Sequence, residues 1–394
     1  MAMFPSPLSG YTRTFSMFLL LLILPLPAGA QDPPQPSPPP PDPPPPVFEF
    51  DEGRFTAFSV VLDNDVLPHI GSENEDRNYT GGLGFRLSGG VIRKLGLTKP
   101  LEGLDWLTRM NRVHAPGERT YHSFLLFGTA FTPDAIQFVE PQRDDRPYGS
   151  ILGVSVRRMT VDDATLDRAW SSELVVAGLG LDVAENVQTA LHRRLRKIKN
   201  QDTPYDPLGW HNQISPGGEI TGLYRVGFEK RLLGDESGGA RKHWQVVGGV
   251  EGSAGYYTNA AASLSSRVGF FTSDFWESSS GGMNLGVGQQ KSGSDTVPRW
   301  DLFAFGVLRP RLVLYNGLLQ GQFRDSVHTV DPKHLLGEWE GGVALSVPFF
   351  KTSYQIAGVV QFAQGRSSEF EGPNSRSHAW GSWLLVFSRP GVRR

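Results

Sequence analysis

The chain contains no cysteine, so no disulfide staples it and its fold must rest on burial and strand pairing. The same absence removes the lipobox cysteine, and with it a lipid anchor at a cleavage site. Neither sign of charge is in excess. With 38 Lys and Arg against 40 Asp and Glu the net charge is -2, which is neither the basic balance of a nucleic-acid binder nor the acidic balance of a disordered solvating chain. Long apolar runs are missing as well. The run Met17 to Leu24 is too short for an ordinary spanning helix, and no later segment approaches the roughly 20 apolar residues that such a helix needs. If this chain enters a membrane, it does so without helices.

What is present divides the chain in three. Arg13 precedes the apolar run and Ala28-Gly29-Ala30 supplies the small residues a signal peptidase reads, so residues 1–30 are expected to be a secretory signal peptide. Residues 31–47 read QDPPQPSPPPPDPPPPV, an extended polyproline tether with nothing to pack. Residues 48–394 form the domain proper, rich in glycine and in short alternating segments bounded by Gly, Asp and Ser. Thirteen segments qualify as strands, among them 55–62, 219–229, 300–308, 312–315 and 379–387.

The alternation has a direction. In 219–229 the residues Ile220, Gly222, Tyr224, Val226 and Phe228 share one face, opposite Thr221, Arg225, Gly227 and Glu229. In a soluble sandwich the polar face would look outward; in an outer-membrane barrel the apolar face meets lipid and the polar, glycine-rich face lines the lumen. Aromatics near strand ends (Tyr148, Trp170, Tyr224, Trp300, Tyr354, Trp383) favour the barrel. So does the last strand, which puts Trp383, Leu385 and Phe387 on one face just before Ser388. The expected fold class is all-β: a transmembrane antiparallel β-barrel of about twelve strands.

One stretch is strongly helical. From Asp182 to Lys199, Val183, Val187, Leu191, Leu195 and Ile198 recur at helical spacing as an apolar stripe, Asp182 and Glu185 can form a capping box, and Arg193, Arg194, Arg196, Lys197 and Lys199 suit the C-terminal end. Gln188 and His192 lie four apart at the margin of that stripe. By itself this is an amphipathic helix with a surface His; at the edge of a packed face it could also present both side chains to a site.

Polar clusters crowd the strand ends: Asp63-Asn64-Asp65, then Asp76-Arg77-Asn78-Tyr79-Thr80-Gly81-Gly82, then Thr132-Pro133 with Asp145-Arg146-Pro147-Tyr148, then Gly209-Trp210 and Gln213. Each alone is an ordinary turn, although the first two offer hard oxygen donors of the kind that suit Ca²⁺. In joint order and spacing, together with Gln188 and His192, they resemble the outer-membrane lipid A 3′-O-deacylases of the LpxR type, over Phe55 to Phe387. That resemblance implies a twelve-stranded barrel with an extracellular-loop helix, here Val183 to Lys199, over an active site on the barrel wall. It implies His192 as the general base, Gln188 as its neighbour, and Asn64 and Thr80 in the oxyanion region. It also implies Ca²⁺ held by Asp65 and Asn64, and a lipid A or lipopolysaccharide substrate for a monomeric enzyme of the outer membrane. Arg193 and Arg194 could pair with the lipid A phosphates. The segment after Thr132-Pro133 departs from the family in lacking a lysine. The alternative reading is a non-enzymatic barrel, a channel or surface adhesin.

Overall fold

A computed structural model describes Glu52 and residues 56–64, 78–109, 118–162, 165–199, 205–237, 241–278, 300–348 and 355–388. The expected signal peptide and tether, Asp65, Asp76 and Arg77 lie outside these residues.

Twelve strands close into one antiparallel barrel in chain order, with β1 (Ala57–Asn64) pairing to β12 (His378–Ser388). Closure leaves no free sheet edge, which is what a strand-built wall in lipid requires. Among the described residues no helix is long and apolar enough to cross a membrane.

Between these two strands run β2 (Asn78–Ser88), β3 (Glu118–Thr132), β4 (Gly149–Asp162), β5 (Arg168–Leu179), β6 (Glu219–Gly234) and β7 (Lys242–Gly255), followed by β8 (Tyr257–Phe271), β9 (Asp301–Asn316), β10 (Leu335–Pro348) and β11 (Gln355–Arg366). Thirteen candidate segments become twelve strands because 300–308 and 312–315 are one strand. The intervening Arg309-Pro310-Arg311 looks like a turn in sequence. In the barrel both arginines face the lumen, where Arg309 pairs with Glu338 and Glu340, and Arg311 with Glu251 and Glu338.

The alternation reads as expected. On β6, Ile220 is fully exposed outside while Thr221 and Leu223 are buried inside, and on β12 Trp383, Leu385 and Phe387 face out. The lumen is filled. Charged pairs such as Arg225 with Glu173 and Arg366 with Glu338 link neighbouring strands across it, so these buried charges compensate one another.

Among the described residues four helices join the strands. Between β2 and β3 lie α1 (Val91–Lys94) and α2 (Lys99–Thr108); between β5 and β6 lies α3 (Val183–Lys199), with the boundaries the sequence pattern predicts; after β9 comes α4 (Gly317–Gln320). The start of β1 and the end of β12 pair at one rim, Ala57 with Ser388. The connection bearing α1 and α2 leaves from that rim, and α3 belongs to the opposite one. The aromatic belt is partly as expected: Trp170 and Trp300 are exposed near the rim of the chain ends, but Tyr148 is buried, Trp383 lies midway along its strand, and Tyr354 is outside the described residues.

Candidate functional site

The site is built on the outer wall at the α3 rim, and alternation decides which polar residues reach it. On β1 the burial pattern sends Asp63 inward and Asn64 outward, so the run Asp63-Asn64-Asp65 is not one cluster. Asp63 belongs to the lumen, where the Tyr79 hydroxyl donates to its carboxylate (3.0 Å).

A β-bulge places Thr80. The β2–β3 register shifts between Tyr79 and Gly81, which gives Tyr79 to the lumen, against Phe131 and Trp380, and turns Thr80 toward the outer wall. There its hydroxyl bonds that of Thr132 (2.8 Å), and its carbonyl accepts from Asn64 Nδ2 (2.8 Å). The two glycines that follow are required by these neighbours. A Cβ at Gly82 would stand 2.4 Å from the Tyr79 hydroxyl, and one at Gly81 would press on Asn64 Nδ2 at 3.1 Å.

The connection carrying α3 is fastened to this wall. Ser150 on β4 donates to the Leu181 carbonyl (2.9 Å) and to Gln213 Oε1 (3.0 Å), and Gln213 Nε2 donates to Asp182 at the helix start (3.3 Å). Trp210 is fully buried with Ile136 and Tyr148, and Ala184 of the helix and Ala130 of the wall pack on this group. Gly209 makes it possible, since a Cβ there would lie 2.6 Å from the Tyr148 ring.

The helix presents the opposite face from the one its pattern suggests. Val183, Val187 and Leu191 are 50%, 63% and 46% exposed, whereas Gln188 and His192 are 5% and 4% exposed. The apolar stripe therefore faces away from the protein, and neither the surface-His reading nor the packed-stripe reading holds. In water this would be an inverted helix; beside a lipid-facing wall the outer side of the helix also meets lipid, and the polar side is the one that needs protein partners.

Two hydrogen bonds orient the pair. The Tyr205 carbonyl lies 2.6 Å from His192 Nδ1, and since a carbonyl only accepts, the proton of the neutral ring is on Nδ1 and the lone pair on Nε2. The Trp210 indole N–H donates to Gln188 Oε1 (2.8 Å); an indole only donates, so this contact fixes the amide and turns the Gln188 NH₂ the other way. Neither partner carries a sequence signal: one is a backbone carbonyl, and Trp210 reads as a packing anchor, which it also is.

The remaining predicted residues separate. Arg193, which lies 3.9 Å from Asp206, and Arg194 are exposed on the helix, while Arg196 pairs closely with Asp206 (2.8 Å). Asp145 and Arg146 do not join the site but close the mouth of the lumen. Asp145 accepts from Arg376, and Arg146 pairs with Glu369 and stacks over Phe131. In that mouth burial alone would raise the Glu369 carboxyl, but Arg146 and Arg366 beside it overcome this and hold it at about 2.

For a divalent cation, the described residues supply Asn64, Thr80 and Thr132 as hard but uncharged oxygen donors, and no group of three His, Asp or Glu side chains occurs among them. The donor chemistry suits Ca²⁺; the charge would come from Asp65, which is outside the described residues.

A family model described as outer membrane protein LpxR matches residues 15–388. A search of curated proteins finds no match. Among solved structures, LpxR from Salmonella typhimurium aligns with a TM-score of 0.59 at 14% identity, over 84% of this chain and 100% of that one. At that identity the likeness establishes the fold. The beta domain of the Bordetella autotransporter BrkA aligns with a TM-score of only 0.36 at 11% identity, over 85% of this chain and 99% of that one.

Proposed function

The chain belongs to the LpxR family of outer-membrane β-barrels, and on that footing we propose that it is a lipid A 3′-O-deacylase, a carboxylic ester hydrolase working on the outer leaflet. The observation that carries the reading is the buried His192, oriented by Tyr205 beside an amide oriented by Trp210, against a wall that lipid touches. In this mechanism Nε2 takes a proton from water as that water attacks the acyl carbonyl, and the resulting imidazolium returns the proton to the leaving sugar oxygen. Gln188 can donate from its NH₂ to the developing oxyanion, and the resemblance assigns Asn64 and Thr80 to the oxyanion region. Burial between helix and wall keeps competing water away from the reacting ester. Ca²⁺ held by Asn64 and Asp65 would supply positive charge for the oxyanion. Arg193 and Arg194, exposed on the helix, suit the phosphates of lipid A, and the enzyme acts as a monomer.

A channel fits less well, because the described lumen is crossed by buried ion pairs such as Arg311 with Glu251 and Glu338. The test is mass spectrometry of lipid A from a deacylase-free Gram-negative host expressing the chain or its His192→Ala variant, with membranes incubated in Ca²⁺ or chelator. Loss of the 3′-linked acyl mass that needs both His192 and Ca²⁺ supports the reading. Unchanged lipid A, with the barrel folded by heat-modifiable gel migration, sinks it.

A further inference from the structure

The rim opposite the site carries a second element on the outside of the wall. α2 packs on β5, and its Asp105 is fully buried there. Arg158 of β4 pairs with the Asp105 carboxylate (3.0 Å), Ser172 of β5 donates to it (2.8 Å), and the Tyr224 hydroxyl of β6 donates to its other oxygen (2.8 Å). Thr108 completes the set, bonding Tyr224 (3.0 Å) and the Leu104 carbonyl (2.8 Å). By strand parity Arg158, Ser172 and Tyr224 all point outward, in line with Val154, Trp170 and Ile220. A charge on this face of the wall needs a partner of its own, and Asp105 brings one.

The depth of this contact follows from the register. Trp170 stacks on Phe228 with ring centroids 4.3 Å apart, opposite it across the β5–β6 ladder. That pair, with Trp170 exposed and Phe228 half-buried, belongs to a belt at this rim with Trp300, over which Arg241 stacks, and Phe270. Ser172 is two residues further into the wall, about 7 Å at the rise of a strand. Asp105 is thus anchored on the hydrocarbon side of the aromatic belt, which marks the headgroup level.

What the segment turns away from the wall is both apolar and basic. Trp106 and Leu107, next to the anchor, are 76% and 70% exposed, and Leu95 and Leu97 are exposed too. Arg93, Lys94, Lys99 and Arg109 are exposed as well. Of the segment's acidic residues Asp105 is paired with Arg158 of the wall and Glu102 accepts from Thr98 (2.7 Å), so the four exposed cations stand against the one carboxylate of Glu102. We propose that α1 and α2 form an in-plane lipid-binding element of the inner leaflet, with Trp106 and Leu107 among the acyl chains and the four cations on the phosphates of anionic phospholipids. From the preceding reading it takes only the orientation of the barrel, with α3 on the outer side; it does not depend on deacylation. Continuity with the lipid-facing wall and the excess of exposed positive charge select an anionic phospholipid surface over a protein partner.

The test uses the full chain folded in vesicles of brominated phosphatidylglycerol or brominated phosphatidylcholine, with folding checked by heat-modifiable migration. The difference in tryptophan emission between the wild type and Trp106→Phe isolates Trp106. The expected result is quenching of that difference by brominated chains, stronger with phosphatidylglycerol. The triple variant Arg93→Glu, Lys94→Glu, Lys99→Glu, which leaves Trp106 in place, loses that preference by about fivefold for each cation removed. Quenching of the Trp106 component by aqueous iodide but not by bromolipid overturns the proposal. So does equal quenching by both lipids with the cations intact, or shielding from both quenchers together with cross-linking of two copies through α2.

Discussion

The two helices that lie against the outside of this barrel, α3 at one rim and α2 at the other, are built by the same rule and differ in what the rule leaves behind. Each turns polar side chains to the wall, Gln188 and His192 on α3 and Asp105 on α2, and apolar side chains outward. On α2 the inward group is a carboxylate saturated by an arginine, a serine and a tyrosine. Its charge is paired with that of Arg158. On α3 the inward groups are an imidazole and an amide, which the Tyr205 carbonyl and the Trp210 indole orient. The difference teaches that a polar group buried against a lipid-facing wall is an anchor when its partners match its charge, and in the proposed function the aimed pair on α3 is the reactive one.

Removing the inward group from each helix should break the comparison in opposite directions. His192→Ala is expected to lower 3′-deacylation by about 10²–10⁴-fold, the usual worth of a general base, with the urea midpoint of the barrel nearly unchanged. Asp105→Ala should do the reverse. It strands Arg158 in the wall and costs about 3–5 kcal/mol of stability, read as a lower urea midpoint by gel migration, while activity per folded molecule stays at the wild-type level. Pairing Asp105→Leu with Arg158→Met should recover most of that loss, because a matched apolar pair leaves no charge behind. A His192→Ala protein that deacylates normally, or an Asp105→Ala protein as stable as the wild type, would erase the distinction between the two helices.

Much of this was legible in sequence, and for identifiable reasons. Period-2 alternation assigned the outer face of β6 and of β12 because lipid and lumen differ in polarity along every strand. The span of α3 followed from spacing. Its orientation did not: the stripe Val183, Val187, Leu191 reads as a buried face only if water lies outside. Arg309 and Arg311 likewise suggested a turn, since their lumen partners on β7 and β10 are distant in sequence. For the site, Asn64, Thr80, Gln188 and His192 could be picked out through their joint spacing. Tyr205 could not, because its contribution is a backbone carbonyl, nor could the parity that parts Asp63 from Asn64.

A finer cut tests whether orientation alone separates the helices. Trp210→Phe keeps an aromatic ring against Tyr148 but removes the N–H to Gln188 together with the volume of the second ring. The amide can then rotate, and kcat should fall by about fivefold, the value of one hydrogen bond near 1 kcal/mol, with KM little changed. A loss confined to stability, with kcat intact, would reduce Trp210 to packing and remove the aimed-amide half of the comparison.

The smallest effect at neutral pH, and the one that brings a third polar arrangement into the comparison, is at the mouth of the lumen. Glu369 resembles Asp105 in being saturated, by Arg146 and Arg366, but it lies in a loop where acid can be used to read it. Its carboxyl titrates at about 2 against the ordinary 4.5. A depressed carboxyl contributes stability that is complete above its unfolded value and is lost as the pH falls through the folded one. Hydrogen exchange in residues 133–148 and 367–377 should therefore be flat from pH 7 to about 4.5, once corrected for intrinsic rates, and then rise toward pH 2. Glu369→Gln should respond less to acid than the wild type across that window and be already raised at pH 7. Were the wild-type loops to loosen between pH 7 and 5 instead, the group responding would be an imidazole, and saturation of Glu369 would not be what holds the mouth shut.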